Sequence, residues 1–261
     1  MLAEERRQLI LELLEQHKSV IAKDLADQFQ LSVDSIRRDL TMMEEQGLLK
    51  KTYGGAVPLP KVRVLPLPDE QRYGEGSPTQ NAVSRLAASR IRENDSVYLG
   101  GAGIQYGMLK YLSRQMPFTV VTNSLQVAQA LRGFPNVEAY LIGGRLTAAS
   151  GNLKDAFAQE QLRLFSFDLC FLTGGGVSER GVSTGSADGA SLARTVLERS
   201  RQAVCLAPHE KLGLDLFAFT APLDAFNLLI TDERAPEETV RALAARGPQV
   251  LVARTGEEAT D

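Results

Sequence analysis

Apolar side chains recur every three or four positions at the start of the chain, and this spacing predicts three short helices over residues 1–47. The first helix has one apolar stripe, formed by the apolar atoms of Leu2, Arg6, Leu9, Ile10, Leu13 and Leu14. A short extended piece, Val20–Ile21, precedes the second helix over residues 23–29. The third helix starts after Ser32, whose hydroxyl can accept a hydrogen bond from a free backbone amide, and stops at Gly47.

A looser alternation follows, and it predicts a pair of short strands over residues 48–51 and 52–57. Three helices and this β-wing make a winged helix-turn-helix, which we assign to residues 1–57. Four prolines then occur in the stretch PLPKVRVLPLP, where they exclude a helix and favour an extended connector. A second break, GEGSP at residues 74–78, completes a predicted linker over residues 58–78.

The pattern changes at residue 79, where continuous apolar runs begin to alternate with helical segments such as residues 80–92, 153–164 and 190–200. Seven runs predict strands, namely SVYLG, FTVVTN, VEAYLIGG, FDLCFLTGGG, RQAVCLAP, NLLITD and the end of residues 237–253. Short strands that are each followed by a helix indicate an α/β domain with a mostly parallel sheet, covered on both faces. Ligands of such sheets bind beyond the carboxyl ends of the strands, where many glycines of this chain also lie.

The third helix of the first domain presents a polar face. Its apolar positions at helical spacing are Ile36, Leu40 and Met43. The residues that then point outward or flank that face are Asp34, Ser35, Arg37, Arg38, Thr41 and Glu45. Such a face suits duplex DNA, because arginine can contact guanine edges or phosphates and small hydroxyls let the helix approach the bases. We expect Arg37 and Arg38 to provide most of the DNA affinity.

Charge limits the surface that can bind DNA. The chain has a net charge of −3, and residues 1–57 contain eight Lys or Arg against ten Asp or Glu, so a broadly basic coat is excluded. A charged helix face alone is often only solvated. Here the arginine pair is followed by a glycine stop and by wing lysines, which lie where they could contact phosphates. The complete predicted DNA surface is Ser32, Asp34, Ser35, Arg37, Arg38, Thr41, Lys50, Lys51, Gly54 and Gly55.

The overall composition, 44% hydrophobic and 23% charged, is that of a globular protein. No apolar run approaches the roughly 20 residues that span a bilayer, and the N-terminus lacks the core of a signal peptide. We therefore expect a cytoplasmic protein with no membrane partner. Cys170 and Cys205 lie in apolar strand-like runs, so we expect buried free thiols rather than a disulfide.

The stretch LSVDSIRRDLTMMEEQGLLKKTYGGAV resembles the N-terminal signature of DeoR-type bacterial repressors. That signature contains Thr-Ile-Arg-Arg-Asp-Leu and a basic wing that ends in His-Gly-Gly-Ala; here Ser35 replaces the threonine and Tyr53 the histidine. The resemblance continues through VTNS, LIGG, SGNLKDAFAQEQL and LITD in the second half. It implies an effector-binding domain related in fold to ribose-phosphate isomerase. It also implies a phosphorylated sugar as effector, and a homodimer or homotetramer that binds operator DNA.

The second domain departs from the family pattern at positions that bind ligand. The family's Asp-x-Gly-Thr-Thr reads Gly-Gly-Ala-Gly-Ile at residues 100–104, and Gln80 replaces a lysine. Its Glu-Ala-x-x-Lys-Arg becomes residues 189–194, without the glutamate and the lysine. The residues that remain for an effector are Gly101, Ala102, Gly103, Asn123, Gly144, Gly174 and Lys211. Three outcomes stay open: an altered, less hydroxylated ligand, an ordinary sugar phosphate, or no ligand, with the domain serving mainly in assembly.

Two rival functions are weaker. An isomerase needs a carboxylate base and a second polarising group, yet Gly100, Gly189 and Ala193 stand where relatives keep acids and a lysine. Surface placement explains the remaining candidates, Asp188, His209, Glu210 and Asp215, so we assign no catalytic residue. The run GGAGIQYG approximates a dinucleotide-binding turn, but its third glycine falls one place late and no acid follows the second strand.

Neither a cofactor nor a metal is expected. A zinc site is implausible, because the two histidines and two cysteines are widely separated in the sequence. Two apolar segments, residues 104–112 and 216–226, could form a subunit interface or simply pack in the core. A dimer is expected in either case, since two recognition helices double the length of DNA that is read.

Overall fold

The computed structural model describes residues 3–58 and 68–256. The chain divides into two compact units, Met1–Lys61 and Val62–Asp261. Most of the predicted proline-rich connector, residues 59–67, lies outside the described residues. Within the described part of the chain, no helix combines the length and the apolar character that crossing a membrane requires.

The first unit contains the elements that the sequence predicts. They are α1 Ala3–His17, β1 Val20–Ile21, α2 Ala22–Phe29, α3 Val33–Glu45, β2 Leu49–Thr52 and β3 Gly55–Pro58. The strands form an antiparallel sheet in the order β1-β3-β2, in which β2 and β3 make the wing around Tyr53 and Gly54. Gly47 has a φ of 68°, the left-handed conformation that ends α3. The predicted winged helix-turn-helix is confirmed.

The core of the first unit is small. Ile36, Leu40 and Met43 of α3 are buried, as their spacing predicts. On α1 the buried side chains are Ile10 and Leu14, whereas Leu9 is 40% exposed, so its predicted place in the apolar stripe is wrong. Ile10 and Leu14 face the core with Leu11 and Leu13 packed beside them, and Leu9 lies about 100° around the helix from Ile10, on the exposed side.

The second unit alternates helices and strands along most of its length. In chain order its elements are α4 Asp69–Arg72, α5 Pro78–Ala88, β4 Ser96–Leu99, α6 Gly103–Met108, β5 Phe118–Thr122, α7 Leu125–Leu131, β6 Val137–Leu141, β7 Leu146–Thr147, β8 Asn152–Leu153, α8 Ala156–Leu162, β9 Phe167–Leu172, β10 Gly176–Ser178, β11 Gly181–Thr184, α9 Ala187–Glu198, β12 Ser200–Leu206, β13 Ala218–Ala221, β14 Leu228–Asp232, α10 Glu237–Ala244 and β15 Gln249–Ala253.

Seven of these strands form one parallel sheet in the order β15-β14-β12-β9-β4-β5-β6, which confirms the predicted α/β architecture. Buried apolar clusters cover both of its faces. Cys170 and Cys205 lie on β9 and β12 as buried free thiols, and burial raises the pKa of each thiol to about 12. The thiols therefore stay protonated and chemically quiet at neutral pH.

Some local structure differs from the sequence prediction. The sequence does not predict the antiparallel sheet β10-β11-β13 or the hairpin β7-β8, because their strands have only two to four residues. Helix α8 begins after its cap Asp155, not at residue 153, since Leu153 belongs to β8. Helix α9 begins earlier than predicted, after its cap Ser186.

The predicted linker boundary also needs correction. Residues 69–73 were assigned to the linker, but they form α4 and pack against the second unit. The second unit therefore starts before residue 79. Proline and glycine on both sides of this segment concealed it in the sequence.

Candidate DNA-binding surface and effector crevice

The N-terminus of α3 is held by its own hydroxyl side chains. Ser32 Oγ accepts a hydrogen bond from the Ser35 amide at 3.2 Å, which caps the helix as predicted. The hydroxyls of Ser32 and Ser35 lie 2.9 Å apart and form a second hydrogen bond. Both residues thus fix the start of the helix and leave its next turn exposed.

The two arginines of α3 differ in their surroundings. Arg37 Nη1 lies 3.3 Å from Asp34 Oδ1, in an ion pair whose two side chains are largely exposed. Arg38 is exposed, and among the described residues no hydrogen bond or ion pair holds its side chain. Arg38 can therefore contact DNA without losing an internal partner, and Arg37 gives up only a weak, solvent-screened pair.

The wing is tied to α3 by polar contacts. Lys51 Nζ donates to Thr41 Oγ1 at 2.7 Å, and the Lys51 amide donates to Glu44 Oε1 at 2.8 Å. Thr41 in turn donates to the Arg37 carbonyl oxygen at 2.8 Å, so its hydroxyl is fully engaged in the free protein. The side chain of Lys50, on the same strand, is exposed. These bonds hold wing and recognition helix in one rigid surface.

The two glycines of the wing have different roles. Gly54 is exposed in the turn, as expected for a residue that offers its amide to a phosphate. Gly55 is buried and pairs with Ile21 of β1; a Cβ there would lie 1.8 Å from the Val20 carbonyl oxygen. The residue must be glycine because β1 passes so closely, and the contact of Gly55 with DNA stays a prediction.

A cleft of about 260 Å³ separates α3 from the wing. Its lining includes Arg37, Lys51, Tyr53 and Gly54. Tyr53 is fully exposed at the wing tip and is not among the predicted DNA-binding residues. The sequence offers one signal of this exposure, an aromatic side chain within an otherwise polar turn.

Asp39 is the second residue that sequence reasoning missed. It directly follows the arginine pair, but it faces the core and is only 6% exposed. Arg6 Nε lies 2.7 Å from one carboxylate oxygen and Arg7 Nε 3.3 Å from the other. The pairing joins α1 to α3 and uses two of the cations of the first unit for structure. Of the six other cations of residues 3–58, four lie on α3 and the wing, and Lys18 and Lys23 lie elsewhere.

The predicted effector residues lie at the carboxyl edge of the parallel sheet. Gly101, Ala102 and Gly103 follow β4, Gly174 follows β9, and the others follow β5, β6 or β12. Several of them already have internal roles. Ala102 N donates to Gln105 Oε1 at 2.9 Å, so its amide is not free for an anion. Gln105 also fills the space beside Gly100, where the family carries its acid.

Asn123, Gly144 and Gly174 also have internal roles, and their contact with an effector stays a prediction. Asn123 is buried, accepts a hydrogen bond from the Tyr98 hydroxyl at 2.9 Å and donates one to the Leu153 carbonyl oxygen at 2.9 Å. A Cβ on Gly174 would lie 2.7 Å from two carbonyl oxygens, and Gly144 has a φ of 137° close to Asp155. Packing and backbone conformation account for these three residues without a ligand.

An unpredicted segment, residues 69–73, covers the turn after β4. Arg72 Nη2 donates to the Gly101 carbonyl oxygen at 2.5 Å, and Arg72 Nη1 donates to the Ser150 carbonyl oxygen at 3.1 Å. The Tyr73 hydroxyl also donates to Gly101 O, at 3.0 Å. A Cβ on Gly103 would lie 2.3 Å from the Arg72 carbonyl oxygen, so glycine is required for this segment to pass.

Lys211 stands at the other side of the crevice, after β12. Its Nζ donates to Thr173 Oγ1 at 3.2 Å, and burial lowers its pKa from the usual lysine value. Beside it, His209 Nδ1 lies 2.9 Å from Asp232 Oδ1 and 3.3 Å from Glu210 Oε2. With Asp232, His209 and Glu210 form a potential ligand set, whereas the sequence predicts only surface placement for these two residues.

The contacts of Asp232 favour a hydrogen-bonded trio over a metal site. Its two oxygens already accept bonds from the backbone amides of His209, at 2.7 Å, and Arg234, at 3.1 Å. Gln80 further donates to Glu210 Oε1 at 3.2 Å, which joins α5 to the cluster. Residues 209 and 232 are close because they follow and end two adjacent strands, β12 and β14. Their separation in the sequence does not predict this contact.

Comparisons with known proteins agree over nearly the whole chain. Residues 6–61 match the family model of the DeoR-like helix-turn-helix domain, and residues 77–233 match that of the DeoR C terminal sensor domain. The transcriptional repressor GlcR of Bacillus subtilis is 32% identical, over 98% of this chain and 99% of GlcR. The uncharacterized transcriptional regulator YgbI of Escherichia coli is 31% identical, over 97% and 99% of the two chains.

Two further similarities are weaker. A putative aga operon transcriptional repressor of Escherichia coli O157:H7 is 26% identical, over 95% of this chain and 93% of that protein. Among solved structures, ribose 5-phosphate isomerase A of Methanocaldococcus jannaschii is 13% identical, over 51% of this chain and 53% of that chain, with a TM-score of 0.37.

Proposed function

The chain belongs to the DeoR family of DNA-binding transcriptional repressors, and from this premise we propose that it represses a metabolic operon in the cytoplasm by binding an operator with α3 and the wing. The observation that carries the proposal is Arg38: it is exposed, without an internal partner among the described residues, on the outward face of α3. Lys50 and Lys51 lie on the neighbouring strand.

Local contacts explain how an anionic protein can present a cationic surface. The acids beside the arginines are already used: Asp34 pairs with Arg37, and Glu44 accepts the Lys51 amide. Asp39, the acid next to Arg38, is buried against α1. With Asp39 buried, α3 and the wing present four cations against three acids, Asp34, Glu44 and Glu45, whereas residues 1–57 together have two more acids than cations.

A small effector is proposed to control this binding at the crevice of the second unit. We infer a sugar-phosphate-like ligand that makes fewer hydroxyl contacts than the family signature implies, because Gly100 and Gly189 offer no carboxylate and Asn123 is internally bonded. Calorimetry with a panel of sugar phosphates tests this. Micromolar binding of a common, fully hydroxylated sugar phosphate would contradict the inferred change of ligand.

Dimer formation is proposed because one recognition helix reads only a few base pairs. Of the two candidate segments, residues 104–112 are largely core, with Ile104, Met108 and Leu112 buried. In residues 216–226 the rings of Phe217 and Phe219 are more than half exposed. That second segment is therefore the better candidate for a subunit interface.

The function is tested by selecting DNA. Sheared genomic DNA is passed over the immobilised full chain, and the retained fragments are sequenced. We expect enrichment of a few intergenic fragments with a shared inverted repeat, and lower transcription from a reporter promoter that carries one of them. Uniform recovery of the genome, or a reporter that does not respond to the protein, would refute repression through an operator.

Replacing Lys50 with Ala should weaken binding to specific and random DNA by the same few-fold factor, because a lysine on the wing contacts phosphates rather than base edges. The slope of log affinity against log salt concentration should become shallower by about 1 for each bound protomer. Fluorescence anisotropy at several salt concentrations measures both. Lys110→Ala, in the second unit, is the matched control, and an equal effect of both substitutions would contradict the assignment.

A further inference from the structure

Two cations in the effector crevice have no assigned role. Arg72 is 9% exposed and binds the carbonyl oxygens of Gly101 and Ser150; its ion pair with Asp69 is loose, at 3.6 Å. Lys154 is partly buried two residues after Asn152, on the segment that contacts Gly101. Burial, and next the nearby charge of Arg72, lower the pKa of Lys154, while Asp188 acts in the opposite direction.

The same place contains polar atoms that lack partners. Ser150 Oγ and Asn152 Oδ1 are buried and have no hydrogen bond among the described residues. Ser150 itself is 1% exposed and lies directly beneath Arg72, which binds its carbonyl oxygen. Buried polar atoms without partners are costly, and at a strand-end crevice they are typical of positions that a ligand or water satisfies. Two cations beside these atoms favour an anion as the missing ligand, with Asp69 and Asp188 offsetting part of their charge.

We propose that Arg72 and Lys154 form an oxyanion subsite beside the turn at Gly101, which binds a phosphate group with help from the Ser150 hydroxyl. The subsite rests on the proposed function in one respect only, that the crevice takes an effector. It is separate from Lys211 and from the helix amides after β4, because Ala102 N is already bonded to Gln105. The planar guanidinium of Arg72 suits two phosphate oxygens, and Lys154 supplies a point charge.

The position of Arg72 gives this subsite a regulatory consequence. Residues 69–73 directly follow the linker to the DNA-binding unit, and Arg72 and Tyr73 attach this segment to the crevice. A bound phosphate would replace the bonds from Arg72 to neutral carbonyl oxygens with stronger bonds in which donor and acceptor are both charged. Ligand binding thereby changes the contacts that hold residues 69–73 against the second unit. By thermodynamic reciprocity, a change in those contacts also changes the affinity for the ligand.

The test is titration of the full chain with inorganic phosphate at constant ionic strength, followed by thermal shift and calorimetry. The wild type should be stabilised in a saturable manner. Lys154→Gln should weaken phosphate binding about 10-fold or more, because a charge-assisted contact is lost. Arg72→Lys keeps the positive charge but loses the planar guanidinium, so it should fold and bind phosphate with an affinity between those of the wild type and Lys154→Gln. Lys110→Gln, away from the crevice, should bind as the wild type does.

The subsite is refuted if phosphate does not stabilise the wild type, or if Lys154→Gln and Lys110→Gln bind it equally. A second measurement, the retention of genomic DNA in the absence of phosphate, distinguishes failure of the subsite from failure of the proposed repressor function. Lys154→Gln should retain fragments as the wild type does, so loss of phosphate binding with intact DNA binding supports the subsite. If the protein binds phosphate but retains no DNA, the subsite is supported and the proposed repressor function is refuted.

Discussion

Replacing Asp39 with Ala is expected to unfold the DNA-binding unit while the second unit keeps its structure. The Asp39 carboxylate is almost fully buried and is the shared partner of Arg6 and Arg7, whose side chains are 13% and 20% exposed. Its removal leaves two partly desolvated cations facing each other. Breaking a buried pair in this way costs about 3–5 kcal/mol. A unit of this size has little stability to lose.

Hydrogen exchange resolved along the chain measures the effect in each unit separately. Amides of α1 and α3 should lose most of their protection in Asp39→Ala, and those of β4 and β9 should keep it. Asp27→Ala, at an exposed position on α2, is the matched control and should change stability by no more than about 0.5 kcal/mol. Protection of α1 and α3 at the wild-type level would show that the carboxylate does not join these helices.

Arg38→Ala is expected to weaken operator binding by about 1–3 kcal/mol, or roughly 5- to 150-fold, and to relax the preference at one base pair. The side chain is exposed and has no partner among the described residues, so its removal should leave folding unchanged. Binding to the selected fragment and to a scrambled duplex is compared by anisotropy.

A conservative substitution separates base recognition from charge at this position. Arg38→Lys retains the charge but loses the bidentate hydrogen-bond geometry. Its affinity for scrambled DNA should therefore equal that of the wild type, whereas its preference for the operator should remain reduced. Arg37→Ala should have a smaller effect, because Arg37 must first leave Asp34. Wild-type affinity in a correctly folded Arg38→Ala protein would remove Arg38 from the recognition surface.

Much of the fold could be predicted because apolar spacing reflects burial directly. Ile36, Leu40 and Met43 had to share one helix face, and the seven apolar runs had to form a covered parallel sheet. Asp39 escaped this reasoning, since a charged residue in the core depends on partners that lie 32 and 33 positions earlier in the chain. Residues 69–73 escaped it because their short helix is stabilised by contacts in the second unit.

The candidate site was harder to predict because a glycine has two common meanings. A glycine at a strand end can offer its amide to an anion, or it can make room for neighbouring backbone. At Gly55, Gly103 and Gly174 a carbonyl oxygen occupies the space that a side chain would need, and no sequence pattern distinguishes the two cases. Exposure of Tyr53 and the grouping of Arg72 with Lys154 likewise emerge only from tertiary structure.

The salt dependence of binding to a selected genomic fragment tests the central claim, that a few cations on α3 and the wing hold DNA although the whole chain is anionic. If Lys50 and Lys51 of two protomers neutralise phosphates, log affinity should fall linearly with log salt concentration with a slope of about −4. A slope near zero, or no retained fragment at low salt, would contradict the account.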